Sequence, residues 1–400
     1  MRELSMRSTR LSLGRVLRAE TRDFYVLLGL TLFLVIFGLV MVLSSSSVES
    51  HHDFGDFYAR FASQGGFAVI GVVLMLIASR LPARFWERTI WVFLGVACLL
   101  QIIALTTPLG VKIGDNTNWL RIGPIAGQPS EAIKLCLVVW LGIVLARKRH
   151  VLHEWRQLAV PILPVAGGSI LLVVLGGDLG TTVIMAAFVL GALFFAGARL
   201  KHLGVAVATV SVAAVLIAVS SETRRGRIAA FFGGTSAVNP DVDWQLNNGH
   251  YALASGGVFG VGLGNSHSKW SWLPSADTDF IFAIIGEELG LIGALLVVLL
   301  FGMLATVLVR MTMRTGDPAA RVTTAAIMVW LIGQAFVNIG VVLGLIPVLG
   351  VPLPLVSAGG TALVSSLIAV GIVLSFTRRS GDGRTPMAAG GPPTFSGGSA

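Results

Sequence analysis

The feature that most constrains this chain is its series of long apolar runs, at 24–44, 65–79, 90–107, 132–146, 158–176, 181–198, 203–220, 280–309, 323–346 and 358–376. Each is close to the roughly 20 residues that an α-helix needs to cross a bilayer. Hydrophobic residues make up 54% of the sequence and charged residues only 12%, whereas about a quarter of a soluble domain is charged. The expected fold is therefore an all-α polytopic membrane protein with about ten transmembrane helices. The first run is too long for a signal-peptide core and has no small-residue cleavage site, so it reads as a retained anchor.

The formal net charge of +9 does not indicate nucleic acid, because the basic residues are sorted by loop. Arg2, Arg7, Arg10, Arg15, Arg18 and Arg22 precede the first run. Arg80, Arg84 and Arg88 follow the second, and Arg147, Lys148, Arg149 and Arg156 the fourth. Arg199 and Lys201 follow the sixth, Arg310, Arg314 and Arg321 the eighth, and Arg378, Arg379 and Arg384 the tenth. By the positive-inside rule both termini are cytoplasmic and the odd-numbered connections lie outside. The chain then divides into a basic cytoplasmic arm at 1–22, a transmembrane domain at 23–377 and a disordered tail at 378–400. A large extracytoplasmic loop at 221–278 lies between the seventh and eighth helices, and a loop of that length is usually functional or disordered. Trp244, Trp270 and Trp272 within it suit an interfacial position. Cys98 and Cys136 fall in or beside spans and imply no disulfide framework. His51 and His52, in a first outer loop read as 45–63, match no metal-site spacing.

Acidic residues at membrane depth need a reason, since a carboxylate in hydrocarbon is costly and normally faces a wet cavity or a protein interior. The stretch KWSWLPSADTDFIFAIIGEELG at 269–290 brings Asp277 and Asp279 to the start of a helix. It sets Glu287 and Glu288 roughly 12 to 14 Å further along. Glu131 and Lys134 share one helix face at the outer mouth of the fourth span. Asp178 sits in the short turn between the fifth and sixth. The last outer loop, IPVLGVPLPLVSAGGT at 346–361, has too much proline for an ordinary helix and reads as a second wall of the site. Together these predict one outward-facing polar cavity. The plainer reading makes Asp178, Asp277 or Thr278 helix caps and Glu131 with Lys134 an internal ion pair.

The motifs NWLRIGPIAGQPSEAIK at 118–134, DLGTT at 178–182, SGGVFGVGLGNS at 255–266, KWSWLP at 269–274, TDFIFAIIGEELG at 278–290 and GLIPVLGVPLPLVSAGGT at 344–361 resemble the SEDS family of cell-wall proteins (FtsW, RodA and SpoVE). The resemblance runs from the first span to the tenth, and IIGEELG looks closer to FtsW than to RodA. It implies a peptidoglycan glycosyltransferase of the bacterial cytoplasmic (inner) membrane that polymerises lipid II, in cell division at the septum. Its implied partners are a class B penicillin-binding protein transpeptidase, other divisome proteins and membrane lipid. By motif, Asp279 matches the essential carboxylate and is the candidate catalytic base. Glu131, Lys134, Lys269, Trp119, Arg121, Asp178, Ser357, Gly359 and Gly360 are candidate substrate-binding residues, with Glu287 and Glu288 structural or cavity residues. A divalent cation, Mg²⁺ or Mn²⁺, held partly by Asp279, is the expected cofactor. Departures from the family pattern are Asn118 for Arg, GGDLG for QPDLG, Asn248 for Gln, Asp277 for His and Ala358 for Tyr. The rival expectations are a lipid II flippase and a division scaffold without chemistry.

Overall fold

A computed structural model describes residues 21–113, 116–123, 125–220, 222–232, 240–269 and 273–380. Most of the expected basic arm, most of the expected tail, and Trp270 and Trp272 lie outside these residues. Among the described residues, nine helices are long and apolar enough to cross a membrane. In chain order they are α1 (Arg22–Phe54), α2 (Ala59–Arg80), α3 (Ala83–Thr106), α4 (Pro129–Arg147), α5 (Trp155–Leu175), α6 (Leu179–Ala196), α7 (Leu200–Val219), α10 (Ile281–Arg314) and α11 (Pro318–Val342). The short helices α8 (Glu222–Phe231) and α9 (Pro240–Gly256) stand between α7 and α10. The tenth apolar helix is α12 (Gly360–Ser380). The ten expected runs are thus all helical.

Three boundaries differ from the sequence reading. Helix α1 continues to Phe54, and Gly55 in the left-handed conformation (φ 69°) ends it. His51 and His52 therefore occupy the last turn of a helix, where His51 stacks on Phe57 at 4.1 Å. The loop between α3 and α4 is a small antiparallel meander of β1 (Gly110–Ile113), β2 (Asn116–Ile122) and β3 (Ile125–Gly127), paired in that order. The β-branched and aromatic residues of NTNWLRI suit a strand, and the chain returns from α3 to α4 over it. Within α5 a π-helical segment (Leu163–Gly167) follows Pro161. A proline removes a donor from the helix ladder, so a wider turn at this position is expected.

The bundle has a centre and a margin. Helix α4 is mostly buried inside the protein, whereas no residue of α7 is. Trp140 on α4 and Trp330 on α11 are among the largest fully buried side chains. Helix α12 packs along α2, and α11 lies against α4, α6 and α10.

Helix α10 is broken at Gly290 (φ 67°, ψ −163°), a conformation that glycine adopts without strain. The interrupted backbone groups are taken up by the glycine-rich segment after α9. Val261 and Gly262 N–H donate to the Glu287 and Glu288 carbonyls, each at 3.0 Å, and Leu291 N–H donates to Gly257 O at 2.9 Å. Irregular backbone at membrane depth is tolerated only when it is paired in this way. The break therefore requires the glycines of SGGVFGVGLG, which allow backbone to approach backbone.

Candidate functional site

All the odd-numbered connections meet at one end of the bundle and enclose a cavity of about 800 Å³. Its polar wall carries Glu49, Arg60, Trp119, Gln128, Glu131, Asp178, Arg227, Asp277 and Asp279.

Asp279 lies just before α10, in an irregular segment that turns on Ser275 (φ 56°). Three consecutive carbonyls of this segment are held from other parts of the chain. Ala358 N–H donates to Asp277 O at 2.9 Å, Ser357 Oγ to Thr278 O at 2.6 Å, and Asn338 Nδ2 to Asp279 O at 2.7 Å. Asn338 also donates to Val351 O at 2.7 Å, so one side chain on α11 ties the aspartate to the last loop. The backbone carrying the Asp279 side chain is thus held by the last loop and by α11. Among the described residues its carboxylate accepts no hydrogen bond. Burial raises its pKa from 3.8 to about 7, the nearby Asp178 and Asp277 push the same way, and Arg227 opposes them. Burial also raises Asp277, against the pull of Arg60. Arg60 lies 3.2 Å from Asp277 and 2.7 Å from Glu49.

Asp178 takes both roles weighed from sequence. It caps α6, accepting from Thr181 N–H at 2.8 Å, and its other oxygen accepts from Gln128 Nε2 at 2.9 Å while facing the cavity. Glu131 and Lys134 form an ion pair at 2.8 Å, with both side chains almost fully buried. Pro129 in the first turn of α4 starts the helix that positions them. Glu131 reaches the cavity wall and accepts from Ser365 Oγ at 3.0 Å. Lys134 lies behind it, over the Trp330 ring at 5.0 Å and 3.2 Å from Gln334 Oε1. Lys134 therefore contacts the cavity only through Glu131.

The other sequence candidates divide. Trp119 on β2 and Gly359 line the cavity. Arg121 is exposed and is not among the lining residues. Ser357 is buried and donates to the backbone of the 277–279 segment, while Gly360 N–H donates to Gln64 Oε1 at 3.2 Å. Lys269, Glu287 and Glu288 are not in the cavity wall. Glu287 accepts from Ser266 Oγ at 2.5 Å and His267 N–H at 2.9 Å. Glu288 accepts from Ser44 Oγ at 2.6 Å and lies 3.9 Å from Lys269, which also donates to Gly264 O. The single cavity expected from the acidic residues is thus two separate sites. The physical reason is the break at Gly290, which brings the 256–269 segment onto the glutamates and supplies them with donors.

Sequence reasoning passed over Arg60, Gln64, Arg227 and Asn338. Gln128 was in view as part of the QPSE motif, and its place immediately before Pro129 was its signal. Arg227 sits in a run, TRRGR, that reads as a solvated charge cluster. Among the described residues no group of three or more His, Cys, Asp and Glu is placed to hold a metal. The hard oxygen donors Asp279 and Asp178 nonetheless suit the mode in which Mg²⁺ uses one or two carboxylates with substrate phosphates.

The chain is similar to known proteins in four comparisons, three of sequence and one of fold. The profile of the family described as Cell cycle protein (FtsW, RodA, SpoVE) matches residues 25–381. The Mycobacterium tuberculosis protein named "Probable peptidoglycan glycosyltransferase FtsW" is 35% identical over 382 residues, which is 94% of this chain and 72% of that protein. Stage V sporulation protein E of Bacillus subtilis is 34% identical over 90% of this chain and 98% of its own length. In fold, the chain superposes with a TM-score of 0.72 at 24% identity on a chain from a structure described as showing coordination of polymerization and crosslinking by a peptidoglycan synthase complex, covering 90% of this chain and 98% of that one.

Proposed function

This chain belongs to the FtsW, RodA and SpoVE family of cell cycle proteins, and from that premise we propose that it is a peptidoglycan glycosyltransferase polymerising lipid II at the outer face of the bacterial cytoplasmic membrane. The observation that carries the reading is Asp279. It is a carboxylate with no hydrogen-bond donor of its own among the described residues, fixed by its backbone on the wall of a cavity, with its proton affinity raised to near neutrality.

A sugar hydroxyl is a weak nucleophile, so a base that accepts its proton in the transition state accelerates attack. The acceptor hydroxyl oxygen bonds to the anomeric carbon of the donor. The bond from that carbon to the lipid diphosphate breaks with its electron pair going to the diphosphate, and the proton goes to Asp279. A group that titrates near 7 is suited to this task, because it is ionised in part at neutral pH and still basic enough to hold the proton. The cavity volume is in the range typical of small-molecule sites. Trp119 offers an aromatic face for a sugar, and Gln128 with Glu131 offers hydrogen-bonding groups. A divalent cation held by Asp279 and Asp178 would compensate diphosphate charge. Glu131 is ion-paired with Lys134 behind it, and this pair braces the floor of the cavity.

A flippase would need the polar path to continue through the bundle. Here the floor is closed by the Glu131–Lys134 pair and the buried Trp330. Uncross-linked glycan is mechanically weak, so the product calls for a transpeptidase. A class B penicillin-binding protein in the division machinery is the partner we assign, and the GEELG motif is the ground for preferring division over elongation.

The test is the purified full chain in lipid nanodiscs given lipid II, with and without the transpeptidase. Glycan strands that lengthen with time are expected, and chelation of divalent cations should slow them. A protein that makes no polymer in either condition, yet moves lipid II between leaflets of a vesicle, would overturn the assignment.

A further inference from the structure

Two guanidinium groups, Arg60 and Arg227, stand on the described cavity wall. Their surroundings differ. Arg60 is matched by Glu49 and Asp277. Among the described residues Arg227, on α8, has no carboxylate within ion-pair distance, and its buried Nε has no hydrogen-bond partner there. A buried polar atom left without a partner calls for an explanation, and an absent ligand is one. The charge of Arg227 nevertheless acts on Asp279 across the cavity.

Beside Arg227 the wall turns apolar, through Ile228 and then Ala214, Val215 and Ala218 of α7. No residue of α7 is buried in the bundle, and Val215 is 61% exposed, so this wall continues onto the surface that faces the bilayer. Arg227 thus stands at the junction between the polar cavity and the membrane-facing side. A lipid-linked sugar donor has the same order of parts, with an isoprenoid tail, a diphosphate and then the sugar.

We propose that Arg227 binds the diphosphate of the lipid-linked donor and stabilises it as the leaving group. This rests on the glycosyltransferase reading above. The guanidinium is planar, always charged and able to donate two parallel hydrogen bonds to phosphate oxygens, which gives the unpartnered Nε–H its acceptor. As the glycosidic bond forms, the bond from the anomeric carbon to the diphosphate oxygen breaks. The electron pair stays on that oxygen, and Arg227 compensates the new charge while Asp279 takes the proton.

The experiment measures binding of three probes, a polyprenyl diphosphate, a polyprenyl monophosphate and a polyprenol, to the full chain in nanodiscs. Wild type is expected to prefer the diphosphate. Arg227→Gln should weaken diphosphate binding by about 10- to 100-fold and leave polyprenol binding unchanged. Arg227→Lys, which keeps the charge and loses the planar fork, should fall between the two. Diphosphate binding at wild-type strength in Arg227→Gln overturns the subsite, as does an equal loss for all three probes. Polymer synthesis by wild type is scored separately. If diphosphate binding depends on Arg227 but no polymer forms, the subsite stands and the enzyme assignment falls. If polymer forms while Arg227→Gln binds the diphosphate normally, only the subsite falls.

Discussion

Two acidic sites lie within ten residues of one another along the same stretch of chain, and they are opposites. Glu287 and Glu288 are enclosed by donors from Ser266, the His267 amide, Ser44 and Lys269. Asp279 has no donor to its carboxylate among the described residues and faces a cavity with its pKa raised to about 7. A carboxylate whose lone pairs are filled by donors from the surrounding chain serves the fold. One that is desolvated, beside other carboxylates and short of donors, is poised to exchange a proton. Depth in the membrane does not distinguish the two, whereas the supply of donors does.

The largest effect that would break this contrast concerns Asp279→Asn. Loss of the base should lower glycan synthesis by about 10² to 10⁴ in normally inserted protein. The effect on stability has the opposite direction. The pKa of Asp279 is raised on folding, so ionisation weakens the folded state as pH rises from about 4 through 7. The uncharged amide removes that penalty, and thermal unfolding at pH 8 should occur no lower than in wild type. A less stable variant with wild-type synthesis would reverse the comparison.

Next comes the brace behind the aspartate. Asn338→Ala removes hydrogen bonds to Asp279 O and Val351 O. Misplacing a catalytic group by a fraction of an ångström to 1 Å lowers rate by about 10- to 100-fold. Turnover should fall by that order, with donor KM little changed. A change confined to KM would assign Asn338 to the substrate instead.

Glu288→Gln should act on the other side of the contrast. It leaves Lys269 without its carboxylate and weakens the bond from Ser44, at a cost of about 1–3 kcal/mol in stability. The rate per folded molecule is expected to stay within about twofold, in keeping with a group that touches no substrate. A tenfold fall in rate without loss of stability would move Glu288 into the site.

The smallest expected effect is a displacement of the pH profile. The acid limb of kcat/KM for wild type should lie near 7, with activity lost as pH falls and Asp279 is protonated. Asp178 raises the pKa of Asp279, so Asp178→Asn should move the limb to lower pH. Arg227 lowers it, so Arg227→Gln should move the limb to higher pH. Limbs that stay in place in both variants would mean that another group sets the profile.

The sequence by itself determined the ten apolar helices, because span length and hydropathy are local properties that hydrocarbon reads directly. It also determined Glu131 with Lys134 and the weight placed on Asp279, through spacing on one helix face and through motifs in family order. It did not determine the meander, which forms in a loop with little room for periodicity, or the end of α1, where one glycine decides the stop. Only the tertiary structure decided which acids share the cavity. That outcome depends on Gly290 breaking α10, on the 256–269 backbone filling the gap, and on Asn338, Ser357 and Ala358 reaching the carbonyls of 277–279 from sequence distances of about 60 to 80 residues. Hydrogen-bond supply at a buried carboxylate is set by whatever the fold brings beside it, and a linear pattern records the acid without its neighbours.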